Sequence, residues 1–253
     1  MKRDDLVLWL DRELDLPSFG GDISNNGLQV EGASEVKRAV FAVDGCLETF
    51  RFAADCKADF IFVHHGISWG AEPRRFIGVE AERMRILFKN DINLYAAHLP
   101  LDAHPVFGNN AELCRIAGLV NKVPYCRYDG VDIGFIGEFA TSVSAAELKT
   151  RFEKELQCTA QLLGTPERLH EKAAVVSGGG GNTALTQAAA AGVKFLLTGE
   201  LTHTMYHYAC ELGMTILALG HYASETTGPR ALMGLIGRKF GVETLFADVP
   251  TAL

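Results

Sequence analysis

The sequence predicts an α/β fold built on largely parallel sheets. Short apolar runs rich in β-branched and aromatic residues alternate with longer stretches of helical spacing, in the order strand then helix. The runs are continuously apolar rather than alternating, as strands covered on both faces are. A chain of 253 residues, 48% of them hydrophobic, can bury the core of one large or two modest domains.

The first helical spacing runs from Asp4 to Leu14, and Ala39 to Val43 reads as the first strand, followed by a helix over Leu47 to Cys56. Asp59 to Val63 is the next strand and Glu80 to Lys89 the next helix. Ile92 to Ala97 is a third strand, with helical spacing again over Ala111 to Ala117. Val131 to Phe139 is a less regular strand, then Ala145 to Leu156 a helix. Strands over Ala173 to Val176, Val193 to Leu197 and Met214 to Leu219 alternate with helices over Thr183 to Ala191 and Thr202 to Leu212. The stretch Asn121 to Gly130, with Pro124, two tyrosines and an Asp-Gly turn, is the best boundary, giving halves 1–124 and 125–253.

Charge and composition exclude several classes. With 24 Lys and Arg against 31 Asp and Glu, the net charge of −7 argues against binding nucleic acid by phosphate neutralisation. The apolar run from Leu6 to Leu10 has carboxylates on both sides and fits no signal peptide. Nothing elsewhere approaches the roughly 18 apolar residues that span a bilayer, so a cytoplasmic location is expected, away from membranes. The cysteines (Cys46, Cys56, Cys114, Cys126, Cys158 and Cys210) include no C-x-x-C pair and read as free, mostly buried thiols.

Open parallel sheets place ligands at the carboxyl ends of their strands. Here those ends are polar. One continues into His64-His65-Gly66 with Trp69 behind it, another into His98-Leu99-Pro100-Leu101-Asp102-Ala103-His104, and a late one into Gly220-His221-Tyr222-Ala223-Ser224-Glu225. A single histidine is usually a hydrogen-bonded imidazole of the core or surface. Five of them with two carboxylates at three strand ends point instead to metal binding. Gly66 lets the chain turn so that both preceding rings can face one cavity. His221 and Glu225 share a face if a helical turn forms there. Pro100 predicts that Asp102 is presented by a loop.

Imidazole and carboxylate donors without thiolate suit Zn, Mn, Fe, Co or Ni rather than calcium or magnesium. The donors exceed what one catalytic zinc needs, about three protein ligands, whereas two divalent ions about 4 Å apart would use them all. The working set is His64, His65, Asp102, His221 and Glu225. Two dications against two carboxylates leave positive charge, which favours an anionic small-molecule substrate.

These segments, with Asn26-Gly27-Leu28-Gln29-Val30, Ser177-Gly178-Gly179-Gly180 and Thr198-Gly199-Glu200, resemble the GTP cyclohydrolase I type 2 homologue family, also called Nif-three-like, in order and over nearly the whole chain. The resemblance implies two interlinked α/β domains, a di-metal site in the cleft between them, and ring-shaped homo-oligomers, commonly hexamers. It assigns the metal ligands to the same five residues, with Glu225 bridging and catalytic. His98 and His104 would lie behind the ligands, His98 as the imidazole that accepts a proton. The long middle insert of some members has no counterpart here.

Other residues carry open readings. Gly178 to Gly181 either lets a phosphate approach or makes a tight turn. His203 and His207 form a second i, i+4 pair without an evident third ligand. Arg74 and Arg75 would meet a substrate phosphate or lie in solvent, and Trp69 would wall the cavity or pack in the core. Without a Gly-x-Ser-x-Gly elbow or a recognisable cysteine nucleophile, covalent catalysis has no support. The expected activity is a metal-dependent hydrolase, of the GTP purine ring by resemblance; a phosphoesterase or amidohydrolase, or a non-enzymatic metal-binding regulatory ring, are the alternatives.

Overall fold

The computed structural model describes residues 1–253. In chain order the first elements are α1 (Arg3–Glu13), β1 (Gly27–Val30), β2 (Arg38–Asp44), α2 (Leu47–Asp55), β3 (Phe60–His65), α3 (Val79–Lys89), β4 (Asn93–Ala96), α4 (Leu99–Ala103) and α5 (Asn109–Ala117). Then come β5 (Leu119–Tyr128), β6 (Val131–Ser144), α6 (Ala145–Leu156), β7 (Gln161–Leu163), β8 (Leu169–Val176), α7 (Gly181–Ala190), β9 (Phe195–Thr198), α8 (His203–Glu211), β10 (Thr215–Ala218), α9 (His221–Glu225), α10 (Thr227–Phe240) and β11 (Glu243–Phe246). The chain divides into two units, residues 1–101 with 229–249 and residues 102–228 with 250–253.

The first unit holds a five-stranded sheet in the order β1-β4-β3-β2-β11. Its β2, β3, β4 and β11 run parallel, and β1 pairs antiparallel at one edge. The central strands are apolar on both faces, as the sequence predicts. Phe41 and Phe62 stack at 5.6 Å, and Phe62 and Tyr95 at 5.8 Å, all without exposure. Each such side chain removed from water contributes roughly 1.5–3 kcal/mol. Helix α1 buries Leu6 and Leu10, one helical repeat apart, and carries Asp4 and Asp5 in its first turn where the helix dipole favours them.

The second unit holds a six-stranded sheet in the order β5-β6-β8-β9-β10-β7. Only β8, β9 and β10 are parallel; the other pairs are antiparallel, so this sheet is mixed. Helix α6 opens on Ser144, whose hydroxyl accepts from the Glu147 N–H, and buries Leu148 and Phe152. The Asn121 to Gly130 stretch lies inside the β5–β6 hairpin with its turn at Asp129-Gly130, and the units divide after Leu101 and Gly228 instead.

Four strands are additional to the predicted ones: β1, β5, β7 and β11 are short, polar or edge-lying, and lack a continuous apolar run. The Pro100 segment is one helical turn rather than a loop, because proline is tolerated where a helix begins. All six cysteines are free; Cys114 and Cys126 are buried, Cys210 is exposed and the rest lie between. No helix is long and apolar enough to cross a membrane.

Candidate metal centre

The carboxyl ends of β3 and β4 deliver the imidazoles of the first unit. His64 is fully buried, with Nδ1 2.9 Å from the Ala97 carbonyl oxygen. His65 places Nδ1 2.9 Å from Asp44 Oδ1, at the end of the neighbouring β2. His98 places Nδ1 2.9 Å from Asp22 Oδ1. Carbonyls and carboxylates only accept, so in each ring Nδ1 carries a proton, which leaves Nε2 as the nitrogen able to face a cation. The ligand atoms of His64, His65 and His98 lie within 4.8 Å of one another, a grouping that can hold a metal ion.

Local packing explains the motifs around these rings. Gln29 Oε1 accepts from the N–H groups of Ile67 and Ser68 at 2.8 and 3.2 Å, and its Nε2 donates to the Asn25 carbonyl at 2.8 Å. This clamp comes so near that a Cβ on Gly66 would stand 2.3 Å from Gln29 Oε1. Glycine is therefore required after the histidine pair by close approach, not by a left-handed turn. Trp69 donates Nε1–H to the Gly66 carbonyl at 2.9 Å, and its ring lies 5.1 Å from that of His98 and 6.0 Å from that of His65. It walls the imidazole group rather than filling a core.

The second unit assembles its donors on the Ser177-Gly178 step. Buried Asp102 accepts at Oδ1 from Asn109 Nδ2 at 2.9 Å and from Ser177 Oγ at 3.0 Å. The Gly178 N–H donates to Ser224 Oγ at 3.0 Å, while its carbonyl accepts from the N–H groups of Gly199 and Glu200. Three motifs thus meet at one glycine. Gly178 has φ +56°, and a Cβ there would lie 2.1 Å from Glu225 Oε1 and 3.2 Å from His221 Nε2. For this position the glycine run serves a tight turn and close packing.

Helix α9 forms the turn that brings His221 and Glu225 onto one face. His221 Nε2 lies 3.2 Å from Glu225 Oε2, and its Nδ1 lies 2.5 Å from Glu200 Oε1. The hydrogen bond with Glu225, joined by Glu200 and opposed by burial, raises the imidazole pKa to about 9. The gap between Nε2 and Oε2 is thus a place for positive charge, a proton or a metal ion.

His104 has the opposite arrangement. Its Nδ1 accepts from the N–H groups of Val106 and Phe107 at 3.3 and 3.2 Å, which leaves the proton on Nε2, and burial lowers its pKa to about 4. With Nδ1 held by two N–H donors, this ring has no lone pair to offer a cation, which separates His104 from His64, His65 and His98, whose Nδ1 atoms meet oxygen acceptors. His203 and His207 lie exposed on α8, and Arg74 is exposed and paired with Glu72.

Sequence reasoning missed Asp22, Asp44 and Asn109. Asp44 directly follows the predicted strand Ala39 to Val43, at a strand end where open parallel sheets place ligands. Asp22 lies in the polar turn Gly20 to Asn26, which offered no periodic signal.

Fold and site together define an α/β protein whose strand ends present imidazoles and carboxylates in groups that can hold a metal ion. The chain belongs to the Duf34/NIF3 (NGG1p interacting factor 3) family, whose model matches residues 1–252. It is 42% identical over 261 residues to the GTP cyclohydrolase 1 type 2 homolog of Pyrococcus horikoshii, with 100% of both chains covered. The homolog of the same name from Archaeoglobus fulgidus is 41% identical, with 98% of each chain covered. Among solved structures, TTHA1606 from Thermus thermophilus is similar with a TM-score of 0.90, 36% identity and 100% coverage of both chains.

Proposed function

We propose that the chain is a dinuclear metal-dependent hydrolase. In this reading His64, His65, Asp102, His221 and Glu225 would be the ligands. Glu225 would serve both as ligand and in catalysis, and His98 would handle a proton beside the ligands. The ions are first-row divalent cations, Zn, Mn, Fe, Co or Ni, for which imidazole and carboxylate sets have overlapping affinities. When bound they supply Lewis-acid polarisation and an activated water.

The observation that carries this reading is the shared orientation of four imidazole rings. Four imidazoles, His64, His65, His98 and His221, each direct Nδ1 to an oxygen acceptor, the arrangement by which proteins orient metal-binding histidines. The chain's own residues do the rest. Asp44, Asp22 and Glu200 orient the rings, Asn109 and Ser177 hold the Asp102 carboxylate, and Trp69 limits the approach of water to the first-unit histidines.

The name these relatives carry suggests the substrate class, a nucleotide such as GTP whose purine ring is opened by water. Two dications facing two ligand carboxylates leave a net positive site, which suits such an anion. A homohexameric ring is proposed on the strength of the family resemblance alone, and a cytoplasmic location on the sequence reading.

The test is metal analysis of protein purified without added metal, then a hydrolysis panel of nucleotides, phosphodiesters and cyclic amides with Mn, Fe or Zn. Retained divalent metal that is lost in His64→Ala, and turnover abolished by Glu225→Gln, are expected. Equal, negligible metal in both proteins refutes the metal centre. Tight metal binding without turnover of any substrate refutes the hydrolase and favours a binding protein.

A further inference from the structure

We propose that Asp22 makes His98 a metal-facing nitrogen donor alongside His64 and His65. The inference deepens the metal-centre reading and rests on it, raising His98 from a proton-handling neighbour to a ligand.

Asp22 is an unusual residue for a surface turn, because its side chain is only 1% exposed. A buried carboxylate persists only where its oxygens are supplied with donors. Here all four acceptor positions are in use. Oδ1 accepts from His98 Nδ1 at 2.9 Å and from the Ser24 N–H at 3.0 Å. Oδ2 accepts from Asn26 Nδ2 at 2.9 Å and from the Leu99 N–H at 3.1 Å. Burial works against the charge, but the His98 hydrogen bond and its companions hold the carboxyl below its ordinary pKa.

The same contacts hold His98 on two sides. Asp22 fixes the ring through Nδ1, and Asn26 fixes the backbone by accepting the His98 N–H at Oδ1, 2.8 Å away. With Nδ1 taken up by Asp22, Nε2 is the ring nitrogen left to His98 for its group with His64 and His65, whose ligand atoms all lie within 4.8 Å of one another. The three rings lie 4.5 to 5.6 Å apart between centroids, and Trp69 closes the His98 side. Three imidazoles are the donor count with which a protein holds a catalytic ion while leaving a position open. A purely structural Asp–His pair would not need its second nitrogen among two other ligand nitrogens. Asparagine at position 22 could not accept at both former oxygens, since one would become an NH2 group facing either the Leu99 and Asn26 donors or the His98 Nδ1–H and the Ser24 N–H.

Long-range 1H–15N spectra of metal-free protein, followed by zinc titration, test the proposal. The wild type should show His98 with its proton on Nδ1, and zinc should shift His98 Nε2 together with His64 and His65. Asp22→Asn should weaken zinc binding about 10- to 100-fold, measured against a chromogenic chelator. In a His98→Ala background the same substitution should add nothing, because Asp22 acts through His98. A proton on Nε2 of wild-type His98 overturns the proposal, as does a His98 signal unmoved while zinc binds, or a full Asp22→Asn loss without His98. The wild-type spectra decide the matter even if Asp22→Asn does not fold. Zinc binding that bypasses His98 removes this inference alone; absence of any zinc binding removes the metal centre with it, and a failed substrate panel touches neither result.

Discussion

Glu200 Oε1 accepts from His221 Nδ1 at 2.5 Å, so the last residue of the Thr-Gly-Glu motif reaches the first residue of α9. In the second unit this contact does what Asp44 does for His65 in the first: it fixes a ring and leaves Nε2 toward the donor side. Glu200→Gln keeps the shape but can present an NH2 group to Nδ1 and removes the charge. A 10- to 100-fold loss of metal affinity is expected, roughly 1.4 to 2.7 kcal/mol, with little change in stability. Chelator competition and a denaturant melt check it, and unchanged affinity would contradict a role for Glu200 in orienting His221.

Gly178→Ala should be far more damaging than Gly181→Ala, although both positions have positive φ, +56° and +57°. At Gly181 an added Cβ meets nothing within 4 Å, so the backbone preference alone costs about 1 kcal/mol. At Gly178 the Cβ strikes Glu225 and must displace it. Gly181→Ala is expected to keep its metal, and Gly178→Ala to lose both metal and stability. Equal metal content in the two variants would show that Glu225 is not a ligand.

Asn109 is fully buried, donates to Asp102 and accepts from the Gly228 N–H at 2.7 Å. Asn109→Ala strands that buried N–H and removes one donor from Asp102. A loss on the order of 1–3 kcal/mol follows from the orphaned Gly228 N–H, since Asp102 keeps the Ser177 donor. Denaturant unfolding of the metal-free protein measures it, and a change below ~0.5 kcal/mol would mean that water replaces the amide, as at an ordinary surface site.

His170, on β8, packs its ring 4.8 Å from that of Phe195 and is 5% exposed. Burial comes first among the causes that lower its pKa to about 4, with Arg168 adding to it. The unfolded chain, titrating near its ordinary value of 6.5, then binds the proton more readily than the fold does. Stability is complete above pH 6.5 and falls as pH drops toward 4, by about 3 kcal/mol. His104 has a shift in the same direction, so His170→Gln should remove only part of the acid-side slope. A slope identical to that of the wild type between those pH values would refute the assignment to His170.

Much of the fold was legible because its central strands bury both faces. Ala39 to Val43, Asp59 to Val63 and Ile92 to Ala97 leave no choice of environment, and each became a strand of the first sheet. Edge strands gave no such signal. The β5 strand mixes Asn121, Lys122 and Pro124 with exposed valines, and only its pairing with β6 along the hairpin makes it a strand. The donors were legible for a related reason, since polar residues directly after buried strands stand out. Pro100 misled because its effect depends on where in a helix it falls.

The residue types at the strand ends, imidazoles and carboxylates without thiolate, were determined by the sequence alone, and with them the class of cation they suit. Which imidazoles can offer a lone pair was decided only by tertiary structure. A ring's tautomer follows from the acceptor or donor that meets its Nδ1, and that partner comes from a distant part of the chain: Asp22 for His98, Asp44 for His65, Glu200 for His221. For His104 the partners are neighbouring N–H groups, which reverse the tautomer. Composition cannot distinguish these histidines, because the difference lies in where one proton is held.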